Sequence, residues 1–204
     1  MQRLYAWVIA IPSNSASRQI GMTLFRSKYR VETTRLRGWD YGAHAWYFVT
    51  ICTRNRICSL GAVRQAQVRL SAVGEAAAEM WCQIPEHHEN VGVDDYIVMP
   101  NHVHGIVIIQ NEHRYSPVLG MRGFRRARPE RTGISPAAGS LAAVIRSYKS
   151  AVTNWCRKNG LGHFAWQARF HDRVIRGSRS LDAIRRYIWD NPMNWVEDEY
   201  YAAD

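Results

Sequence analysis

Apolar spacing along the chain predicts seven elements. Trp46 to Thr53 reads as a strand, because the run is rich in aromatic and β-branched residues. Ser71 is placed to cap a helix carrying Val73, Ala76, Ala77, Met80, Trp81 and Ile84 at helical spacing, and Pro85 closes it. Tyr96 to Met99 and Val103 to Ile109 are two apolar strands, with Pro100-Asn101 as a tight reversal between them. Ser140 caps a second helix, whose Leu141, Val144, Ile145, Tyr148, Val152 and Trp155 form one apolar stripe that Gly160 ends. A short strand follows, from about Arg169 to Ile175. A last helix runs from about Leu181 to Asp190 and stops at Pro192.

The order strand, helix, strand, strand, helix, strand, helix predicts an α+β domain. Its core is a ferredoxin-like split βαβ antiparallel sheet with an additional C-terminal helix. Helices on one face of such a sheet leave the other face for a ligand.

The pattern also sets domain limits. Residues 1–25 read as an N-terminal extension outside the core, 26–196 as the domain and 197–204 as a C-terminal tail. Leu4 to Pro12 is apolar and leads into a Ser-rich stretch, a faint likeness to a leader peptide. The preferred reading is an extension ahead of a working start at Met22. Residues 111–139 hold Pro117, Gly120, Gly123, Pro129, Gly133, Pro136 and Gly139, with five arginines between Arg122 and Arg131. They read as a long loop or insertion.

The 204 residues suit one domain with a sizeable core, and 47 % of them are hydrophobic. No apolar run is long enough for a bilayer span, so no membrane partner is expected. The formal net charge of +10 favours a polyanionic partner, since Lys and Arg neutralise phosphates and release counterions. Cys52, Cys58, Cys82 and Cys156 are scattered without a CxxC pair. Neither a zinc knuckle nor a disulfide framework is expected, and the reading is a cytoplasmic, nucleoid-associated protein.

On a strand, His102 and His104 share a face and Val103 points to the other. Two imidazoles on an apolar strand are costly to bury unless something satisfies them. A metal ion does so, and so do ordinary hydrogen bonds; the pair alone does not choose. In the last helix Leu181, Ile184 and Ile188 form the buried stripe, and Tyr187 falls at its edge. Asn191 lies one turn on, over the same face. Taken singly, Tyr187 is most simply a structural residue at the core margin and Asn191 a helix stop. Together they suggest chemistry. A phenol, with a reference pKa of about 10, is a poor nucleophile at neutral pH. A divalent ion can polarise a phosphate for in-line attack, and the tyrosine then holds a covalent phosphotyrosine. No GxxxxGK[ST] loop is present, consistent with a reaction that needs no ATP.

Three separated strings carry a family likeness: Met99-Pro-Asn-His-Val-His104, then Trp166-Gln167 with Arg169 to Arg176, then Tyr187-Ile188 with Asn191-Pro192. Arg35 to Tyr41 and Tyr47 to Thr53 add to it. The chain resembles the REP-associated tyrosine transposases, members of the single-tyrosine, His-hydrophobic-His transposases. The resemblance implies cleavage of single-stranded DNA at hairpin-forming repetitive palindromes through a 5′-phosphotyrosine, with one Mg²⁺ or Mn²⁺ ion. It implies His102 and His104 as metal ligands, Tyr187 as nucleophile and Asn191 as third ligand. Arg173 stands where many relatives have histidine, and the arginine-rich loop and apolar N-terminus fall outside the likeness.

For DNA contacts, Arg30, Arg35 and Arg37 can track phosphates, with Trp39 or Tyr41 stacking on unpaired bases. A solvated basic tail fits those residues equally well. Arg146 and Lys149 can also face phosphates, or stand as ordinary exposed charges. The alternative to a nuclease is a domesticated, non-catalytic binder of hairpin DNA. A relaxase or replication initiator fits less well, since no helicase or second tyrosine motif accompanies the site. Monomer and homodimer both remain open.

Overall fold

A computed structural model describes Leu36, residues 39–111 and residues 136–201. Every described residue belongs to one compact unit, Thr34–Asp204. Expectations for the N-terminal extension, for Arg30, Arg35 and Arg37, and for loop residues 112–135 lie outside the described residues.

The elements are β1 (Ala45–Cys52), β2 (Gly61–Arg64), β3 (Gln67–Leu70), α1 (Ala72–Cys82), α2 (Ile84–His87), β4 (Val91–Val98), β5 (His102–Ile109), α3 (Leu141–Lys158), β6 (His171–Ile175) and α4 (Ser178–Asp190). Both expected serine caps form. Ser71 Oγ accepts from the Gly74 N–H at 3.2 Å, and Ser140 Oγ from the Ala143 N–H at 3.4 Å. Gly160 turns the chain out of α3 with φ +76°, a left-handed value that glycine adopts at little cost.

The sheet order is β4-β5-β1-β6, antiparallel throughout. β5 lies between β1 and β4, as a split βαβ requires, so the observed fold is the expected one. Tyr47, Val49 and Ile51 of β1, with Val103, Val107 and Ile109 of β5, belong to the main core. Trp81 and Ala77 of α1 and Val144, Ile145 and Val152 of α3 complete it. Gly105 lets the Trp81 indole lie against β5, where a Cβ would stand 2.3 Å from Trp81 Cζ2.

The opposite face is not open, contrary to the expectation of a free face. There Ile106 packs with Ile184 and Ile188 of α4, bordered by Phe48, Ile97 and Leu181. Leu181, Ile184 and Ile188 are the stripe expected of this helix, and a stripe this apolar must be covered. The Arg185 guanidinium donates to both carboxylate oxygens of Asp94 on β4 and ties the helix to the sheet edge.

Three further differences have local causes. The β2–β3 hairpin was not expected, because Gln65 and Ala66 occupy its turn at φ 52° and 58° without the usual Asn-Gly signal. Pro85 does not close α1; it sits in the first turn of α2, where its missing N–H costs nothing. β4 begins at Val91, since a register shift between Val93 and Tyr96 takes up the polar Asp94-Asp95 pair. Among the described residues no helix is long and apolar enough to cross a membrane, and all four cysteines are free.

Candidate active site

β5 carries His102 and His104 on the face that α4 covers, at 0 % and 1 % exposure. Each ring is held through Nδ1. Thr50 Oγ1, opposite on β1, lies 2.9 Å from His104 Nδ1. Asn101 Oδ1 lies 2.9 Å from His102 Nδ1. Asn101 is itself fixed, donating through Nδ2 to the carbonyls of Tyr200 and Arg56. The two Nε2 atoms are thereby left for other partners. His102 Nε2 is buried and has none among the described residues.

Tyr187 reaches the pair from α4. Its hydroxyl is 3.4 Å from His104 Nε2, and its ring stands edge-on to Phe48. Asn191, one turn on, is 2 % exposed. Its Nδ2 donates to Asp198 Oδ2 at 2.9 Å, while its Oδ1 is buried without a partner. Asp198 closes the group: one ligand atom each from His102, His104 and Asp198 lie within 4.8 Å of one another. The Tyr200 N–H donates to Asp198 Oδ1 at 2.7 Å, and the Tyr200 ring lies over His102 at 4.9 Å.

Burial dominates the electrostatics. It holds His104 down to about 3 and holds His102 well below the ordinary histidine range, where the neighbouring His104 and Arg56 push the same way. Both rings are therefore neutral at physiological pH, the form that ligates metals. Burial raises the Tyr187 phenol above its ordinary value, and Asp198 and Glu199 add to that rise. Burial also raises the Asp198 carboxyl.

The donor set fits a divalent ion. Two neutral imidazoles and a carboxyl group converge within 4.8 Å, and the Asn191 amide bonded to that carboxyl leaves its own oxygen buried without a partner. The orphaned Nε2 of His102 is the most direct sign, since a buried nitrogen without a partner is costly.

Of the residues singled out in the sequence, the structure brings His102, His104, Tyr187 and Asn191 together. It adds Asp198, which the sequence reading left in the tail. The signal available was Glu197-Asp198-Glu199, an acidic run in a chain of net charge +10. Trp39 and Tyr41 are not brought to this pocket. Trp39 Nε1 donates to the Tyr47 hydroxyl at 3.0 Å and Tyr41 stacks on Tyr47, against the main core. Arg146 is exposed on α3. Lys149 donates through Nζ to the carbonyls of Gln167 and Arg169.

No family model matches the chain. An uncharacterised protein of Haemophilus influenzae is 32 % identical over 168 residues, covering 82 % of this chain and 91 % of that protein. The structure of a REP-associated tyrosine transposase bound to a REP hairpin aligns at a TM-score of 0.51. That alignment has 18 % identity and covers 80 % of this chain and 74 % of the other. A candidate transposase from Deinococcus radiodurans R1 aligns over 84 % of this chain and 100 % of its own, at 14 % identity and a TM-score of 0.41. The chain thus belongs to the family of the Haemophilus influenzae protein and has the fold of a REP-associated tyrosine transposase.

Proposed function

We propose that this protein is a divalent-metal-dependent DNA transposase or site-specific single-strand endonuclease, with Tyr187 as its nucleophile. The observation that carries the reading is convergence. The Tyr187 hydroxyl meets His104 Nε2, from a residue 83 positions away in sequence, beside a His102 whose buried Nε2 has no partner among the described residues.

His102, His104 and Asp198 are the residues that would hold an ion, with Asn191 Oδ1 as a fourth donor. When bound there, a divalent ion supplies the positive charge that polarises a phosphate and favours the ionised phenol. Thr50 and Asn101 orient the imidazoles through Nδ1 and fix which nitrogen faces the pocket. The rigid face of α4 holds the Tyr187 oxygen in place for in-line attack. The phenol oxygen forms a bond to phosphorus and the P–O3′ bond breaks. The phenol proton passes to solvent and the departing 3′ oxygen takes one up. The products are a 5′-phosphotyrosine and a free 3′-hydroxyl.

Hairpin DNA with a single-stranded flank is the proposed substrate, since the structural neighbour holds a REP hairpin. The test is nicking of a labelled hairpin oligonucleotide with Mg²⁺ or Mn²⁺, against a chelator control. Nicking is expected only with metal, and none from His102→Ala. Nicking that survives the chelator contradicts it. Full binding without nicking favours the alternative, a non-catalytic hairpin binder.

A further inference from the structure

A cationic surface lies where β1 ends. A cavity of about 620 Å³ is lined by Arg54, Asn55, Arg56, Trp166, Gln167 and Ala168. An adjoining cavity of about 480 Å³ shares Arg54 and Trp166 and adds Lys149, Thr153 and Arg157 of α3. These α3 residues recur every four residues, so they form one polar stripe beside the apolar one. No aspartate or glutamate lines either cavity. Among the described residues, Arg54 and Arg157 have no carboxylate partner.

The walls are fixed by backbone bonds. The Arg54 N–H donates to the Ala165 carbonyl and the Gln167 N–H to the Cys52 carbonyl, both at 2.8 Å. Lys149 ties the Gln167 segment to α3. Asn55 and Arg56 both take left-handed backbone, at φ 56° each. Trp166 is 7 % exposed, and its buried indole N–H has no acceptor among the described residues.

This surface joins the histidine pocket. The Arg56 guanidinium lies 5.1 Å from the Tyr200 ring centroid, and the Arg56 carbonyl accepts from Asn101, which holds His102. Arg56 therefore belongs both to this surface and to the shell that holds His102.

We infer that the cleft between the Arg54–Arg56 turn, the Trp166 segment and the polar stripe of α3 seats the sugar-phosphate backbone of single-stranded DNA. Its occupant rests on the nuclease reading, but its test does not. Spaced cations without a compact convergence suit a row of phosphates rather than one small anion.

The test is fluorescence anisotropy with a labelled single-stranded oligonucleotide of mixed sequence, across a salt series in chelator, where nothing is cut. Arg54→Ala with Arg157→Ala removes two phosphate partners. The salt slope should shrink by about 1.4 and low-salt affinity should fall about tenfold. Arg64→Ala with Arg69→Ala, on the exposed β2–β3 hairpin, is the charge-matched control and should change far less. Arg157→Gln alone, at an exposed helix position, should give half the slope change if the pair misfolds. A slope and affinity equal to the control overturn the inference. An equal loss on a blunt hairpin without a flank also overturns it, because the cleft then holds duplex. Since no metal is present, failure of Tyr187 to cut contradicts the nuclease reading alone.

Discussion

The Tyr187 hydroxyl stands 3.4 Å from Nε2 of His104, the ring nitrogen that Thr50 leaves unused. Thr50 thereby decides which nitrogen meets the pocket. Thr50→Val keeps the side-chain shape but removes the bond to Nδ1. Mn²⁺ affinity should fall roughly 10- to 100-fold, with the fold unchanged by circular dichroism. Titration calorimetry with Mn²⁺ measures it, and an unchanged affinity would show that the orientation of His104 is set elsewhere.

Asp198 and Asn191 are rival candidates for the third ligand position of the proposed metal site. Asp198 brings a charge and lies in the 4.8 Å group with both histidines, whereas Asn191 brings only an amide oxygen. Asp198→Ala should therefore weaken Mn²⁺ more than Asn191→Ala does, by roughly tenfold or more. The reverse order would restore Asn191 as the main third ligand.

Gly105 is a packing glycine. A Cβ there meets the Trp81 indole at 2.3 Å, on the face away from the histidines. Gly105→Ala should cost roughly 1–3 kcal/mol of stability through overpacking. A lowered urea midpoint, with Mn²⁺ binding retained in the folded fraction, is the expected result.

Metal-free protein should lose stability on acidification. Burial holds His104 at about 3 in the fold, below its ordinary unfolded value of about 6.5. Below that unfolded value the unfolded chain takes up a proton that the fold refuses, so stability falls with pH. The loss approaches about 1.4 kcal/mol per pH unit for one such group. His102 acts in the same direction, and the raised Asp198 carboxyl opposes them. Urea midpoints at about pH 7 and about pH 5 should differ in wild type. The difference should be smaller in His104→Gln.

The legible parts of the molecule were those with short-range rules. Strand alternation placed His102 and His104 on one face, and helical spacing put Tyr187 beside Asn191. The serine caps at Ser71 and Ser140 marked two helix starts. The β2–β3 turn escaped because Gln65 and Ala66 take left-handed backbone that their side chains do not advertise.

Asp198 escaped for a different reason. It lies seven residues past Asn191, beyond the end of α4, where no period links it to the helix. Only the tertiary path of residues 191–200 returns it to the pocket. The free sheet face was also misjudged. The apolar stripe of α4 is legible from its spacing, but its partner on the second face of the sheet is set by tertiary packing.

Mapping the covalent adduct tests the central claim most directly. Protein incubated with Mn²⁺ and a hairpin oligonucleotide is digested, and the nucleotide-bearing peptide is sequenced by mass spectrometry. The expected product is a 5′-phosphotyrosine at Tyr187, absent from Tyr187→Phe, which still binds the DNA. An adduct on another residue, or one that persists in Tyr187→Phe, would contradict it.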